Sequence, residues 1–277
     1  MNEASLRLLF IGDLVGDDGP HAGLANLERW LPSLRERYAP HAIIVNAENV
    51  AMNGRTPQQG CGLTPDAVER LFATGVDLIT GGNHSWDGPH AAAVHEDARV
   101  LRPHNYGTRA PGTGIATLDV AGRRVGVMNL VGRSALPLAD HPIDVFEHVR
   151  DTWGDDVDAI FVDFHAESVS EKQIFAWAVA GRAAAVVGTH THVPTMDARI
   201  LPGGTAYVTD VGMTGPDGGM QGYDPTLFVA RMRDRIPSAL DGAFADGPAV
   251  LGAVVVDIDQ GTATAIERCD PHFGGTA

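Results

Sequence analysis

At 277 residues, 44% hydrophobic and 20% charged, the chain is long enough to bury a sizeable core and lies far from disordered composition. Its net charge of -15 argues against a duplex nucleic-acid binder, which needs a basic footprint, but not against a phosphate-ester substrate, because bound cations invert a local potential. Two distant cysteines without CxxC spacing, a short N-terminal apolar run (8–11) and no stretch near the roughly 18 apolar residues of a membrane span predict a cytoplasmic protein with no disulfide framework, signal peptide or membrane partner.

Strand-like and helix-like segments alternate along the chain. Leu6–Ile11, apolar but for Arg7, is closed by Gly12-Asp13, the pattern of a buried strand entering a loop. Residues 21–38 repeat Leu24, Leu27, Leu31 and Leu34 at helical spacing, ahead of a second buried strand at Ala42–Asn46. Thr64-Pro65 opens a helix, with Thr at the N-cap, Pro at the first helical position, and Val68, Leu71 and Phe72 on one face. A third strand at 76–80 leads into Gly81-Gly82-Asn83-His84. Ile115–Val120 and 125–130, joined by 121–124, read as an antiparallel hairpin. Helices at Pro142–Trp153 and 168–181 bracket a strand at 159–163, and 184–187 is a further strand. Two more hairpins follow, Arg199–Leu201 with Thr205–Val208 and 250–257 with 262–267. Parallel-style βαβ units and hairpins together predict an α/β fold of two mixed sheets packed face to face, helices outside, in one domain spanning 1–277. The Gly-rich stretches 51–63 and 209–225 exceed ordinary connection lengths and are candidate active-site walls.

Potential metal ligands fall directly after five of the apolar runs. Asp13 follows the first, at a position where Asp is also an ordinary turn residue. Glu48 and Asn49 follow the second: one carboxylate whose two oxygens can bridge cations, one neutral carbonyl oxygen, in what would otherwise read as a solvated loop. Asn83 and His84 follow a tight Gly81-Gly82 entry that leaves room for close approach. His165 follows 160–162, where a lone histidine is more often a satisfied core residue. His190 and His192 stand two apart in a segment read as extended, so both imidazoles face one way, which favours metal over packing. Ligands in open α/β sheets collect beyond the carboxyl ends of strands. Two divalent ions about 3.5–4 Å apart need a bridging carboxylate, several imidazoles and a few neutral oxygens. Asp13, Glu48, Asn49, Asn83, His165, His190 and His192 supply that set without a thiolate, and their two carboxylates leave two dications net positive toward a phosphate. Oxygen and imidazole donors suit Mn²⁺, Fe or Zn²⁺. Asp87, Asp163, Glu167 and Asp210 are candidate acceptors for the ligating imidazoles; Thr189 and Thr191 read as loop-shaping, Trp86 as packing and Cys61 as inert.

Gly-Asp-x-x-Gly (12–16), Asn-Ala-Glu-Asn (46–49), Gly-Asn-His-x-Trp-Asp (82–87), Asp-Phe-His-Ala-Glu (163–167), Gly-Thr-His-Thr-His (188–192) and Thr-Asp-Val-Gly-Met-Thr-Gly-Pro (209–216) resemble the YmdB-like metallophosphoesterases over nearly the whole chain. The resemblance implies the four-layer α/β/β/α sandwich and cyclic-nucleotide phosphodiester hydrolysis with two divalent transition-metal ions, iron or manganese, zinc also being compatible. The wider superfamily's Asp-x-His is here Asp13-Leu14-Val15, and its bridging Asp is replaced by Glu48 beside Asn49; both departures are shared with the YmdB-like group. The resemblance further implies that one metal takes Asp13, Glu48, Asn49 and His192 and the other Glu48, Asn83, His165 and His190, with a bridging water acidified for in-line attack. His84 then serves as the general acid for the leaving alkoxide, or orients a ligand. The expected partner is a small-molecule phosphodiester, and a homo-oligomer is compatible with the sequence. A broader phosphodiesterase or phosphomonoesterase is the alternative enzyme; a regulatory protein keeping metals for stability would need no acid beside them.

Overall fold

The structure is a computed structural model that describes residues 5–52, 61–235 and 244–273. The first half runs β1 (Leu6–Ile11), α1 (Gly23–Tyr38), β2 (Ala42–Asn46), α2 (Pro65–Ala73), β3 (Leu78–Thr80), α3 (Ala91–Val94), β4 (Ile115–Val120) and β5 (Arg123–Val131). It continues through α4 (Pro142–Trp153), β6 (Ala159–His165), α5 (Val169–Val179), β7 (Ala185–Thr189), β8 (Arg199–Leu201) and β9 (Thr205–Val208). The last elements are β10 (Gly215–Pro216), α6 (Pro225–Asp234), β11 (Ala249–Val250), β12 (Ala253–Asp259) and β13 (Thr262–Arg268).

One sheet has the order β13-β12-β1-β2-β3, in which β1, β2 and β3 are parallel and the β12–β13 hairpin joins β1 antiparallel. The other has the order β4-β5-β6-β7-β9-β8, with β5, β6, β7 and β9 parallel and hairpin partners at both edges. Because side chains alternate along a strand, each run offers one set to the facing sheet and the other to helices. Leu8, Phe10, Ile44, Leu78, Val127, Phe161, Val187 and Val256 share the inter-sheet core. Leu9, Ile11, Ile43, Val45 and Ile79 pack with Leu24, Leu27, Leu31 and Leu34 of α1 and Leu71 of α2. Met128, Leu130, Val162, Phe164 and Val186 pack with Phe146 of α4 and Phe175 and Val179 of α5. The layers are therefore α/β/β/α, and burial of both sheet faces explains why the parallel strands read as continuous rather than alternating runs.

Near the carboxyl ends, five strands change from apolar to polar on the inner face, at Asn46, Thr80, Asn129, Asp163 and Thr189, each fully buried. Asp163 and His165 follow Phe161 at a spacing of two, so they share its inward direction. Register places His165 beside Thr189 and Asp163 beside Asn129.

Several boundaries differ from expectation. The 121–124 connection is a two-residue turn of Ala121 and Gly122, both at positive φ (48° and 76°), the twist that suits a tight hairpin. The apolar stretch at 250–257 divides, Ala249–Val250 pairing with Gly215–Pro216 before β12 begins. Helix α6 lies where no apolar stripe marks one; it starts from Pro225, with Asp224 accepting from Thr226 N at 2.8 Å. Most of the expected wall at 51–63 falls on residues 53–60, outside the described residues. Among the described residues, no helix is long and apolar enough to cross a membrane.

Phe10 and Phe161 meet between the sheets with ring centroids 5.6 Å apart. Truncating either to Ala should destabilise the fold by about 3–5 kcal/mol through lost burial and a cavity. The double variant should fall short of the sum by roughly 0.5–1.5 kcal/mol, the coupling of an aromatic pair, as read by urea unfolding.

Candidate metal centre

The floor of the centre is the Asp163 carboxylate. Its Oδ2 accepts from Asn46 Nδ2 (2.9 Å) and Thr80 Oγ1 (2.5 Å) of the facing sheet, and its Oδ1 from Thr189 Oγ1 (2.7 Å) of its own. Burial pushes the carboxyl up to about 6 against these three donors. Thr189 has a single hydroxyl proton, which Asp163 takes, so toward His165 Nδ1 (3.0 Å) it accepts. That relay leaves His165 Nε2 as the lone-pair nitrogen, aimed away from the floor.

Around His165 Nε2 stand Asn83 Oδ1 at 2.9 Å, Glu48 Oε1 at 3.0 Å and His190 Nδ1 at 3.0 Å. The other nitrogen of His190 faces Glu167 Oε2 at 3.1 Å, so Nδ1 is free of its proton. Four ligand atoms thus converge in one cluster, and Glu48 Oε1 has no hydrogen-bond donor among the described residues other than the His165 ring. The ligand atoms of Glu48, His165 and His190 all lie within 4.8 Å of one another. Acceptors crowded this closely need positive charge between them, a cation or the proton that His165 holds in its place. Gly82 makes the approach possible, since a Cβ there would run into Glu48 Oε2 and the His165 ring.

A second group stands beside it. His192 Nε2 faces Asn49 Oδ1 at 3.3 Å and Asp13 Oδ1 at 4.0 Å, while its Nδ1 donates to Gln221 O at 3.0 Å. Asp13 Oδ1 is buried without a hydrogen-bond donor among the described residues, and Oδ2 accepts from His190 N at 3.2 Å, which ties the two groups together. The 190–192 segment is not extended as the sequence suggested: His190 and His192 have φ of 98° and 64°, so their imidazoles separate, one into each group. Non-glycine residues are strained there and need to be held. Thr191 between them is gripped by Asp210, whose Oδ2 accepts from Thr191 N (3.2 Å) and Oγ1 (2.7 Å) and from the buried Lys172 Nζ (2.6 Å). Asp210 therefore holds the loop rather than an imidazole. Lys172 and Gln221 carry no signal in the sequence that ties them to this place, and Asn46, inside the Asn-Ala-Glu-Asn motif, is not singled out there.

His84 lies at the edge. Its backbone N donates to Glu48 Oε2 (3.0 Å), and its Nδ1 pairs with Asp87 Oδ2 at 2.7 Å. Burial works against charge on His84, but the Asp87 hydrogen bond and the Glu48 carboxylate outweigh it and raise the imidazole above its usual value. Trp86 packs, stacking on Tyr106 with centroids 5.6 Å apart.

The cluster's own electrostatics call for positive charge. Burial opposes charge on His165, yet Glu48, Asp13 and Asp163 raise it to about 9, so in the absence of a cation a proton on Nε2 takes the cation's place beside Glu48. Burial and the neighbouring His165 push His190 down to about 3. Burial raises Asp13; it also acts upward on Glu48, but the His165 charge outweighs it and holds Glu48 below the carboxylate range.

The chain is 41% identical over 263 residues to the 2',3'-cyclic-nucleotide 2'-phosphodiesterase of Bacillus subtilis (strain 168), with 95% of each covered. It is also similar to the crystal structure of a hypothetical protein from Thermus thermophilus, at TM-score 0.84 and 37% identity over 95% of this chain and 97% of that one. A crystal structure of a novel phosphatase from Mycoplasma pneumoniae matches at TM-score 0.84 and 32% identity, covering 95% of this chain and 92% of the other. With its residues 9–269 matched by the family's sequence model, the chain belongs to the YmdB-like protein family.

Proposed function

We propose that this chain is a metal-dependent phosphodiesterase of the cytoplasm, acting as one domain on small phosphodiesters, above all cyclic nucleotides. The observation that carries the proposal is the convergence of carboxylate, amide and imidazole acceptor atoms from the ends of five strands on one buried rim. The activity of the Bacillus subtilis relative narrows the substrate class. In this reading Asp13, Glu48, Asn49 and His192 hold one divalent ion and Glu48, Asn83, His165 and His190 the other, Fe or Mn before Zn. When bound, such a pair supplies positive charge to the phosphoryl oxygens and acidifies the attacking water.

The protein's own part is orientation and proton delivery. Thr189, Glu167 and the Gln221 carbonyl each occupy the far nitrogen of a ligand histidine, which keeps the near one as a lone pair. Asp87 occupies His84 Nδ1, so Nε2 is the atom that carries a proton to the leaving alkoxide, and the Asp87 hydrogen bond favours the protonated ring. A panel of 2',3'-cyclic nucleotides, 3',5'-cyclic nucleotides and phosphomonoesters, on protein of measured metal content, tests the proposal. Turnover of monoesters alone would replace it with a phosphatase.

Elemental analysis after reconstitution with excess Mn²⁺ should find two ions per chain. Glu48→Gln should lose more metal than Asn49→Ala, since the first removes the shared charge and the second one neutral oxygen. Equal metal contents would contradict the bridging role of Glu48.

His84→Ala should fold and keep both ions, yet turn over a cyclic nucleotide more slowly by roughly 10²–10⁴-fold, the usual weight of general acid catalysis. The loss should shrink for a nitrophenyl ester, whose leaving oxygen departs without a proton. Equal losses for both substrates would make His84 a phosphate-binding or orienting residue.

A further inference from the structure

The sequence treats Cys61 as inert, but the fold brings it to the proton donor. Gly62 is pressed against the 84–87 turn, where a Cβ on it would meet His84 O at 2.6 Å and Asp87 O at 3.2 Å. The turn itself is closed by Asp87 N donating to His84 O at 3.0 Å. As a result the Sγ of buried Cys61 and the ligand atoms of half-buried His84 and Asp87 all lie within 4.8 Å of one another. None of these three belongs to the seven residues of the metal pair, and their donor set is different: a thiol, an imidazole and a carboxylate.

That set suits zinc, which is bound by Cys, His and Asp together, commonly with three protein ligands and one open position. Softness separates it from the oxygen and imidazole centre beside it, because thiolate favours zinc over manganese. Charge agrees as well: a thiolate with Asp87 offers two negative charges to a dication. Burial, with Asp87 and Glu48 nearby, pushes the Cys61 thiol up to about 12, so the sulfur stays protonated unless a cation takes its place.

We propose that Cys61, His84 and Asp87 form a separate zinc site, whose occupation withdraws His84 from proton donation and inhibits turnover. On binding, the Cys61 thiol and one ring nitrogen of His84 each release a proton to solvent, and the electron pairs so freed bind the ion. No electron transfer or further reactant is involved. The inhibitory consequence rests on the phosphodiesterase reading; the binding site does not.

Cobalt(II) is the probe that separates the two. The seven residues of the metal pair contain no sulfur, so a thiolate-to-cobalt charge-transfer absorption reports this third site. The full chain saturated with Co²⁺ should show that band, Cys61→Ser should lose it, and Cys269→Ser, altering the chain's other cysteine, should keep it. Absence of the band in the unaltered protein, or its survival in Cys61→Ser, overturns the site.

Activity then tests the consequence. In the Mn²⁺-loaded enzyme, Zn²⁺ should inhibit turnover of a 2',3'-cyclic nucleotide. Cys61→Ser, with its Mn²⁺ activity unchanged, should need at least about 10–100-fold more Zn²⁺, the order by which metal-site substitutions weaken affinity. Equal inhibition of the two proteins overturns the inhibitory role. Absence of any phosphodiester turnover defeats the phosphodiesterase reading, while the cobalt band still decides the site.

Discussion

Asp163 is a carboxylate sealed between two sheets, and most of what the centre can do depends on how it is satisfied. A buried charge without partners is untenable, so it draws donors from both sheets: Asn46 and Thr80 from one, Thr189 from the other. These bonds set the gap between β2–β3 and β6–β7 at the end where the ligand loops emerge. Asn129 closes the same belt by bonding both the N–H and the carbonyl of Gly81, which anchors the entry to Asn83. The same carboxylate also determines, through the one proton of Thr189, which nitrogen of His165 faces the ligands. Spacing between layers and the protonation pattern of a ligand thus share one cause.

The second constraint is strain. A chain leaving β7 in the extended conformation would point His190 and His192 the same way, which serves a single ion. Left-handed backbone at both residues sends the rings into separate groups, and that conformation persists only because Asp210 grips Thr191 and is in turn neutralised by Lys172. A buried lysine–carboxylate pair contributes little net stability, and removing one partner strands the other charge. Its value here is geometric, because it fixes the residue between His190 and His192.

Electrostatics reconcile an acidic protein with an anionic substrate. The chain carries -15 overall, so distant charge repels a phosphate. Inside the centre the balance differs: carboxylates and neutral acceptors face inward in a low-dielectric setting and demand cations, and cations dominate the field at short range. Screening over about 8–10 Å further confines the repulsion from the surface. Near His84 the same demand continues, since Asp87, Glu48 and the Cys61 sulfur leave that edge poor in positive charge.

Chain order and local pattern were enough to read the long strands, the helix that Thr64 caps and Pro65 opens, and the polar residues that end each run. Those features follow from nearest neighbours: helical spacing, turn chemistry and burial of apolar stretches need no distant contact. The polar residues that the fold gathers at one rim were legible for the same reason, each lying at or just beyond the end of a strand. Long-range contact was required for everything that tells one buried face from the other. Runs apolar on both sides do not reveal which face meets a sheet, so the inward direction of Phe161, Asp163 and His165 emerged only on packing. The two left-handed histidines, the burial of Lys172 and the meeting of Cys61 with His84 likewise come from segments far apart in the chain. A residue's partners across a fold are set by sheet order and register, which a linear sequence encodes only through the sum of all its contacts.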